Sequence, residues 1–309
     1  MKRILDCRGS DFRQMGREEL KQAIRAAEGR TIMAETVVTS QPLLPEVSNP
    51  EVMKAFGADM ILLNMFDCFK PVVNGVESYS IFQSNAAGSV DEKIIQKIKE
   101  LTGLPVGINL EPVDPHANSL EKLYSLPEGR TATENSLAMA KQLGCDFICL
   151  TGNPKSGVTN EKIEQAITLA NKHFGGLIIA GKMHNAGTAG SVFDLDAFSR
   201  FADAGADVIL FPAPGTVPGV REETLANAIE NVKNKGALTL AAIGTSQEGA
   251  DEETIRAIAL SSKRAGVDIF HIGDAGYSGM ALPENIQTLS ITVRGKRHTY
   301  IRMAASALR

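Results

Sequence analysis

Residues 236–279 read GALTLAAIGTSQEGADEETIRAIALSSKRAGVDIFHIGDAGYSG. The apolar run Leu238–Ile243 ends in a polar turn containing glycine. A helical pattern follows, opened by Asp251, Glu252 and Glu253, with Ile255, Ile258 and Ala259 on one face. Acids suit the positive end of a helix dipole, and Gly266 is the residue type that ends helices in a left-handed turn. A second apolar run, Val267–Ile272, stops at Gly273-Asp274-Ala275-Gly276. Two uninterrupted apolar runs on either side of a helix describe parallel strands buried on both faces.

The join Gly266-Val267-Asp268-Ile269 recurs as Gly57-Ala58-Asp59-Met60, Gly144-Cys145-Asp146-Phe147 and Gly205-Ala206-Asp207-Val208. Between these joins lie four further runs, Thr31–Glu35, Pro105–Glu111, Leu177–His184 and Leu238–Thr245, each placed after a glycine at a helix end. Eight strands, each followed by a helical pattern, predict an α/β chain folded as a (β/α)8 TIM barrel. The strands are expected to begin near Thr31, Ala58, Pro105, Cys145, Leu177, Ala206, Leu238 and Val267. A leader helix within residues 1–28 is expected to cover the N-terminal end of the barrel, and residues 283–309 to form the last helix, so that 1–309 is one barrel domain.

Composition fits this reading. The chain has 309 residues, 43% of them hydrophobic, near the ~250 usual for the fold. A net charge of −4 and a pI of about 5.8 give no ground for nucleic acid or an anionic membrane as partner. No run approaches the ~18 apolar residues of a membrane span. The start lacks a signal-peptide core, and Cys7, Cys68, Cys145 and Cys149 follow neither disulfide nor zinc spacing. A cytoplasmic homo-oligomer with reduced thiols is expected. The basic tail, Arg294, Lys296, Arg297 and Arg302, reads as a solvated face or a subunit contact.

Chemistry in such barrels gathers at the C-terminal ends of the strands. Alternation puts Asn64, Thr151, Pro212 and Gly273 on the inward face of the even strands, with Leu62, Cys149, Leu210 and His271 one layer deeper. On the odd strands the inward set is Glu35, Asn109 with Glu111, Lys182 with His184, and Thr245. Charges inside a barrel are costly unless paired or functional. Lys182 therefore reads as a Schiff-base nucleophile, a cation steadying an enolate, or one member of a structural ion pair with Glu35 or Glu111. His184 or Glu111 would be the acid–base, tuned by Glu35, while His271 reads as a core histidine. Asn64, Asn109, Thr151, Asn153 and Arg130 are candidate substrate contacts. Glu35, Glu111 and His184 are also a candidate site for Mg2+ or Mn2+. Two long loops, 68–88 and 112–133, suggest a lid, and Ser89-Val90-Asp91-Glu92 reads as a capping box.

The loops after strands 7 and 8 hold Gly244-Thr245-Ser246 and Gly273-Asp274-Ala275-Gly276. Here the chain resembles the phosphate-binding (β/α)8 barrels, whose members include aldolases and isomerases of small phosphorylated metabolites. The resemblance implies a phosphate site at Gly244, Thr245, Ser246, Gly273 and Gly276, with Asp274 and Glu248 as departures from it. The phosphoenolpyruvate mutase and isocitrate lyase barrels share only Gly276-Tyr277 of their Asp-Thr-Gly-Tyr-Gly loop. Class I aldolases carry their lysine on strand 6, where this chain ends in prolines, and Lys182 on strand 5 is similar in kind. The chain is thus placed in a bacterial branch of the superfamily outside both. The expected function is an aldolase-type lyase or isomerase acting on a small anionic carbonyl metabolite. A metal-dependent lyase or hydrolase using Glu35, Glu111 and His184 is one alternative, and a barrel that only binds or assembles is another.

Overall fold

The computed structural model describes residues 2–76, 90–118, 122–153, 155–185 and 191–309. Eight strands, β1 (Thr31–Val37), β2 (Met60–Asn64), β3 (Val106–Leu110), β4 (Phe147–Leu150), β5 (Leu177–Gly181), β6 (Val208–Pro212), β7 (Leu238–Ile243) and β8 (Ile269–Ile272), pair in parallel in sequence order and close β8 on β1. The helices are α1 (Gly9–Phe12), α2 (Arg17–Arg25), α3 (Asn49–Ala55), α4 (Ile94–Thr102), α5 (Glu134–Gln142), α6 (Asn160–His173), α7 (Leu195–Asp203), α8 (Glu222–Asn234), α9 (Glu252–Ala265) and α10 (Pro283–Ala304). The odd strands begin at or within one residue of the expected positions. The even strands begin two residues late, and the Asp of each Gly-x-Asp join explains the delay.

At each join the Asp faces the preceding odd strand and closes a two-point clamp with one of its residues. Asp59 N–H donates to the Ile32 carbonyl at 2.8 Å while its carboxylate accepts Ile32 N–H at 2.9 Å. Asp146 does the same to Val106 (2.8 and 2.8 Å), Asp207 to Ile178 (2.9 and 2.9 Å) and Asp268 to Thr239 (3.1 and 3.0 Å). An aspartate is short enough to reach back to its neighbour's amide, and the glycine two residues before it ends the incoming helix in the left-handed region. Each Asp also holds a cation. Lys99 lies 2.8 Å from Asp146, Arg17 and Lys21 lie 2.7 and 3.0 Å from Asp207, and Lys233 lies 2.9 Å from Asp268. The leader helix α2 thereby covers the N-terminal end of the barrel, as expected from its sequence.

The fourth clamp corrects the reading of the tail. Arg294 and Arg302 are buried, not solvated, and reach Asp59 at 2.6 and 2.7 Å. Arg302 also donates to the carbonyls of Ile4 and Cys7, so one carboxylate joins β2, α10 and the N-terminal segment. Lys296 and Arg297 remain exposed. The alternating stretch Ser290–Val293 is helical, within an α10 that breaks at Gly295 (φ 76°). Ser89 lies outside the described residues, and α4 begins at Ile94. Parts of both long loops (77–89 and 119–121) also lie outside them. Among the described residues no helix is long and apolar enough to cross a membrane.

The pairing register settles which side chains face inward, since neighbouring residues in a sheet point to the same side. Glu35 pairs with Leu62, Leu62 with Gly107, Gly107 with Phe147 and Phe147 with Leu177. Ile179 pairs with Val208, Leu210 with Leu240, Ala242 with His271 and His271 with Met33. Glu35, Asn64, Asn109 and Thr151 therefore rim the C-terminal opening above a layer containing Leu62, Cys149, Leu210 and His271, as alternation predicted. On β5 the inward position is Gly181, where a Cβ would meet the Leu210 carbonyl oxygen at 2.1 Å.

Burial opposes ionisation of Asp59, but the guanidinium charges of Arg294 and Arg302 outweigh it and hold the carboxyl below its ordinary range. Asp59→Asn would keep the backbone acceptor and strand two buried guanidinium groups, at a cost of about 3–5 kcal/mol. Asp146→Asn, whose Lys99 partner is a quarter exposed, should cost about 1 kcal/mol or less. Denaturant unfolding of the two variants measures the contrast. Because the folded pKa of Asp59 is depressed, its contribution is present above about pH 4. It is lost as pH falls further, so the Asp59→Asn deficit should shrink in acid.

Candidate active site

The barrel mouth encloses a cavity of about 180 Å³ lined by Glu35, Asn64, Asn109, Thr151, Asn153, Met183, His184, Thr245, Ser246, Glu248 and Asp274, among others. The strand ends deliver these groups in two connected networks. In the first, Asn153 is the hub. Its side-chain amide donates to Glu111 at 2.8 Å and to Asn64 at 2.9 Å, and its backbone N–H donates to the second Glu111 oxygen at 2.9 Å. Arg130 donates to Glu111 at 2.9 Å. Both Glu111 oxygens are thus consumed by the scaffold, so Glu111 and Arg130 hold the rim together and neither lines the cavity.

In the second network Asn64 donates to Asp274 at 2.7 Å and Asn109 donates to Glu35 at 2.5 Å. Below them, His271 Nε2 lies 3.0 Å from Glu35 Oε2 but out of line for a hydrogen bond, and neither ring nitrogen has a hydrogen-bond partner among the described residues. The loop after β7 carries Thr245 and Ser246 in left-handed conformations (φ 55° and 72°), an arrangement non-glycine residues seldom adopt. Thr245 anchors there by donating to the Thr216 carbonyl. The turn brings Glu248 back under β8, where it accepts the Ala275 N–H at 3.0 Å. Gly273 makes room for it, because a Cβ at that position would meet Glu248 Oε1 at 2.7 Å.

This arrangement corrects three expectations. The expected anion cradle at Gly244, Thr245, Ser246, Gly273 and Gly276 has two backbone N–H groups of its second loop already committed and an acid in its midst. Gly273 N–H donates to the Ile243 carbonyl, the Ala275 N–H is held by Glu248, and the carboxyl of Asp274 stands in the same space. With Glu35, Glu248 and Asp274 in the lining and neither Lys nor Arg among the described lining residues, the mouth disfavours an anionic substrate. Glu35, Glu111 and His184 do not converge as metal ligands either. Among the described residues no three of His, Cys, Asp and Glu are placed to hold a metal ion. Lys182 is the third. Buried, it directly follows the last residue of β5 and is absent from the cavity lining. Burial lowers its pKa, and the carboxylates that pull it back up are Glu161 at the start of α6 and Asp194 capping α7, rather than Glu35 or Glu111.

His184 and Asp274 have opposed protonation. Burial lowers the His184 pKa, against the pull of Glu35 and Glu111, so the ring is neutral at pH 7. Burial, then the charge of Glu35, then that of Glu248, push Asp274 up to about 8. Glu248 is also raised, chiefly by burial. Two titratable groups driven apart by their surroundings are the usual mark of an acid–base pair. Sequence reasoning named Glu248 only as a departure from the phosphate site and His271 only as a core histidine, and gave neither a functional role. The available signal was an acid on each of the two loops where a phosphate site needs free N–H groups.

A family model described as "Domain of unknown function (DUF7916)" matches residues 5–309. None of the curated proteins matches the sequence. Among solved structures, an archaeal fructose-1,6-bisphosphate aldolase with its catalytic Lys covalently bound to the carbinolamine intermediate of the substrate is similar at TM-score 0.52. It is 14% identical over 87% of this chain and 96% of that one. A second structure of an archaeal fructose 1,6-bisphosphate aldolase gives 0.50 at 14% identity, over 87% and 95%. A 2,3-dimethylmalate lyase, a PEP mutase/isocitrate lyase superfamily member, gives 0.47 at 13%, over 82% and 80%, too low to carry an argument. The neighbours are aldolases and lyases built on TIM barrels, and at these identities the likeness shows the shared fold.

The Asp274 carboxyl should titrate near 8 by carbon-13 NMR, and Glu35→Gln should lower that value by removing the charge that raises it most. The native state binds this proton more tightly than the unfolded chain, whose aspartates titrate near ~3.9. Stability should therefore decline as pH rises from about 4 to about 8, and Asp274→Asn should flatten that decline.

Proposed function

The chain belongs to the DUF7916 family, a domain of unknown function, and we propose that it is an acid–base enzyme of the lyase or isomerase kind. It moves a proton beside a carbonyl, or makes or breaks the adjoining C–C bond, in a small polar metabolite. The observation that carries this reading is the pairing, on one enclosed cavity, of a neutral imidazole (His184) with a carboxyl that keeps its proton near neutral pH (Asp274). The aldolase neighbours are in keeping with the class.

In this mechanism the substrate carbonyl oxygen faces Asp274, which Asn64 orients. In isomerisation His184 takes the proton from the carbon beside the carbonyl. The C–H electrons become the C=C bond of an enol, and the carbonyl oxygen takes the Asp274 proton. In cleavage His184 instead takes the proton of the β-hydroxyl. The C–C bond breaks toward the carbonyl, again leaving an enol on the Asp274 side and a second carbonyl on the His184 side. Returning the two protons resets both groups. Positioned acids and bases of this kind contribute ~10²–10⁴-fold each. The placement of Lys182 outside the lining supports a mechanism with no Schiff base.

Deuterium exchange from D2O into hydroxyacetone and dihydroxyacetone, followed by proton NMR, tests the reading. The protein should catalyse exchange, Asp274→Asn and His184→Ala should each slow it about 100-fold or more, and Lys182→Arg should leave it unchanged. A borohydride-trapped adduct, together with loss of exchange in Lys182→Arg, would replace acid–base catalysis by covalent catalysis.

A further inference from the structure

The strongest unexplained feature of the mouth is the set of polar atoms buried without partners. Glu248 is 2% exposed and its Oε2 accepts no hydrogen bond among the described residues. Asn109 and Thr151, both 4% exposed, likewise leave Oδ1 and Oγ1 unpartnered among the described residues. All three residues line the same cavity. A buried polar atom without a partner costs about 1–3 kcal/mol, and such costs persist where a ligand meets them. The ionised Glu248 Oε2 and Asn109 Oδ1 can only accept, and the Thr151 hydroxyl can do so as well. The group that completes them must therefore bring several donors.

Charge points the same way. Glu35, Glu248 and Asp274 share the lining, and neither lysine nor arginine is among its described members. Arg130, at the rim, is bonded to Glu111. At the opposite end of the barrel the four clamp aspartates each hold a cation supplied by the chain. Among the described residues the mouth's lining repeats the acids without the cations.

We infer that the substrate carries an ammonium group, which docks against Glu248, Glu35 and Asn109 beside the reacting carbonyl. An ammonium offers three donors and one positive charge in a compact group, and this matches a cavity supplying acceptors and negative charge. The inference deepens the acid–base reading by naming the substrate class. It rests on that reading only for the carbonyl, because docking of the ammonium requires no turnover.

The test compares three stable molecules of one three-carbon skeleton, 3-amino-1,2-propanediol, glycerol and glycerate. Their binding at pH 7 is measured by calorimetry and by ligand-observed NMR on the full chain. The amine should bind at least about tenfold more tightly than glycerol, a difference of ~1.4 kcal/mol, and glycerate should bind more weakly than both. Glu248→Gln keeps an oxygen for the Ala275 N–H and removes the charge, so it should erase the amine's advantage while glycerol binding stays unchanged. Glu35→Gln should reduce the advantage in the same direction, which guards against a folding defect in one variant. Equal or tighter binding of glycerate would overturn the inference, as would an amine preference that survives both substitutions. Mg2+ alone is a fourth probe. If it binds and then recruits glycerate, the acids serve a metal ion, and the ammonium site is refuted. An amine preference without deuterium exchange in the preceding experiment would leave the ammonium site standing and remove the acid–base reaction. Exchange without the preference would do the reverse.

Discussion

The structure depends on one short-range constraint, the two-point contact between the Asp that opens each even strand and a residue of the odd strand before it. A single hydrogen bond between strands permits sliding. An Asp that donates its own N–H and accepts its neighbour's N–H on the carboxylate fixes one register in four of the eight strand pairs. With a side-chain period of two, a slip of one residue would exchange the inward and outward faces of the whole strand. The acids at the N-terminal rim therefore decide, across the length of the strands, that Glu35, Asn64, Asn109 and Thr151 face one another at the other end.

The same constraint explains how far the sequence could be read. Eight strands were legible because the Gly-x-Asp join repeats, and the four clamps show that the repeat is a structural device. The phase of β1, β2 and β3 was legible too, since a charged or amide residue marks the inward face near the end of each. In β5 the run Leu177-Ile178-Ile179-Ala180-Gly181 is apolar throughout and carries no phase mark. Alternation counted along this run placed Lys182 inward, whereas the register gives that side to Gly181. Glu248 and Asp274 lie beyond the strand ends, where alternation stops. Thr245 and Ser246 turn the chain there through conformations that no propensity scale anticipates. The burial of Arg294 and Arg302 was hidden because their partner, Asp59, lies far away in sequence.

The two ends of the barrel handle acids in opposite ways. At the N-terminal end each aspartate is neutralised by the chain's own lysines and arginines, and the result is mechanical. At the mouth Glu35, Glu248 and Asp274 crowd together, held by amides that orient them without cancelling their charge. Burial, reinforced by repulsion from Glu35 and Glu248, raises the pKa of Asp274, and a protonated carboxyl and a neutral imidazole on one cavity are able to exchange protons with a molecule held there. The free energy lost at the mouth is tolerated because it is confined to one layer above a barrel interior of Met33, Met60, Phe147, Leu177, Val208 and Leu240, all fully buried.

The Asp59 junction also sets a timetable for synthesis. Asp59 is made 235 residues before Arg294 and 243 before Arg302. At a translation rate of ~5–20 residues per second, roughly 10–50 s separate the acid from its guanidinium partners. Through that interval the nascent chain can form its early β–α units, but Asp59 cannot be buried as a neutral pair. The step that seats the N-terminal segment, seals β8 against β1 and removes this charge from water falls at the end of translation. A chain halted within α10 before Arg302 would thus hold an Asp59 carboxylate that still lacks one of its two guanidinium partners.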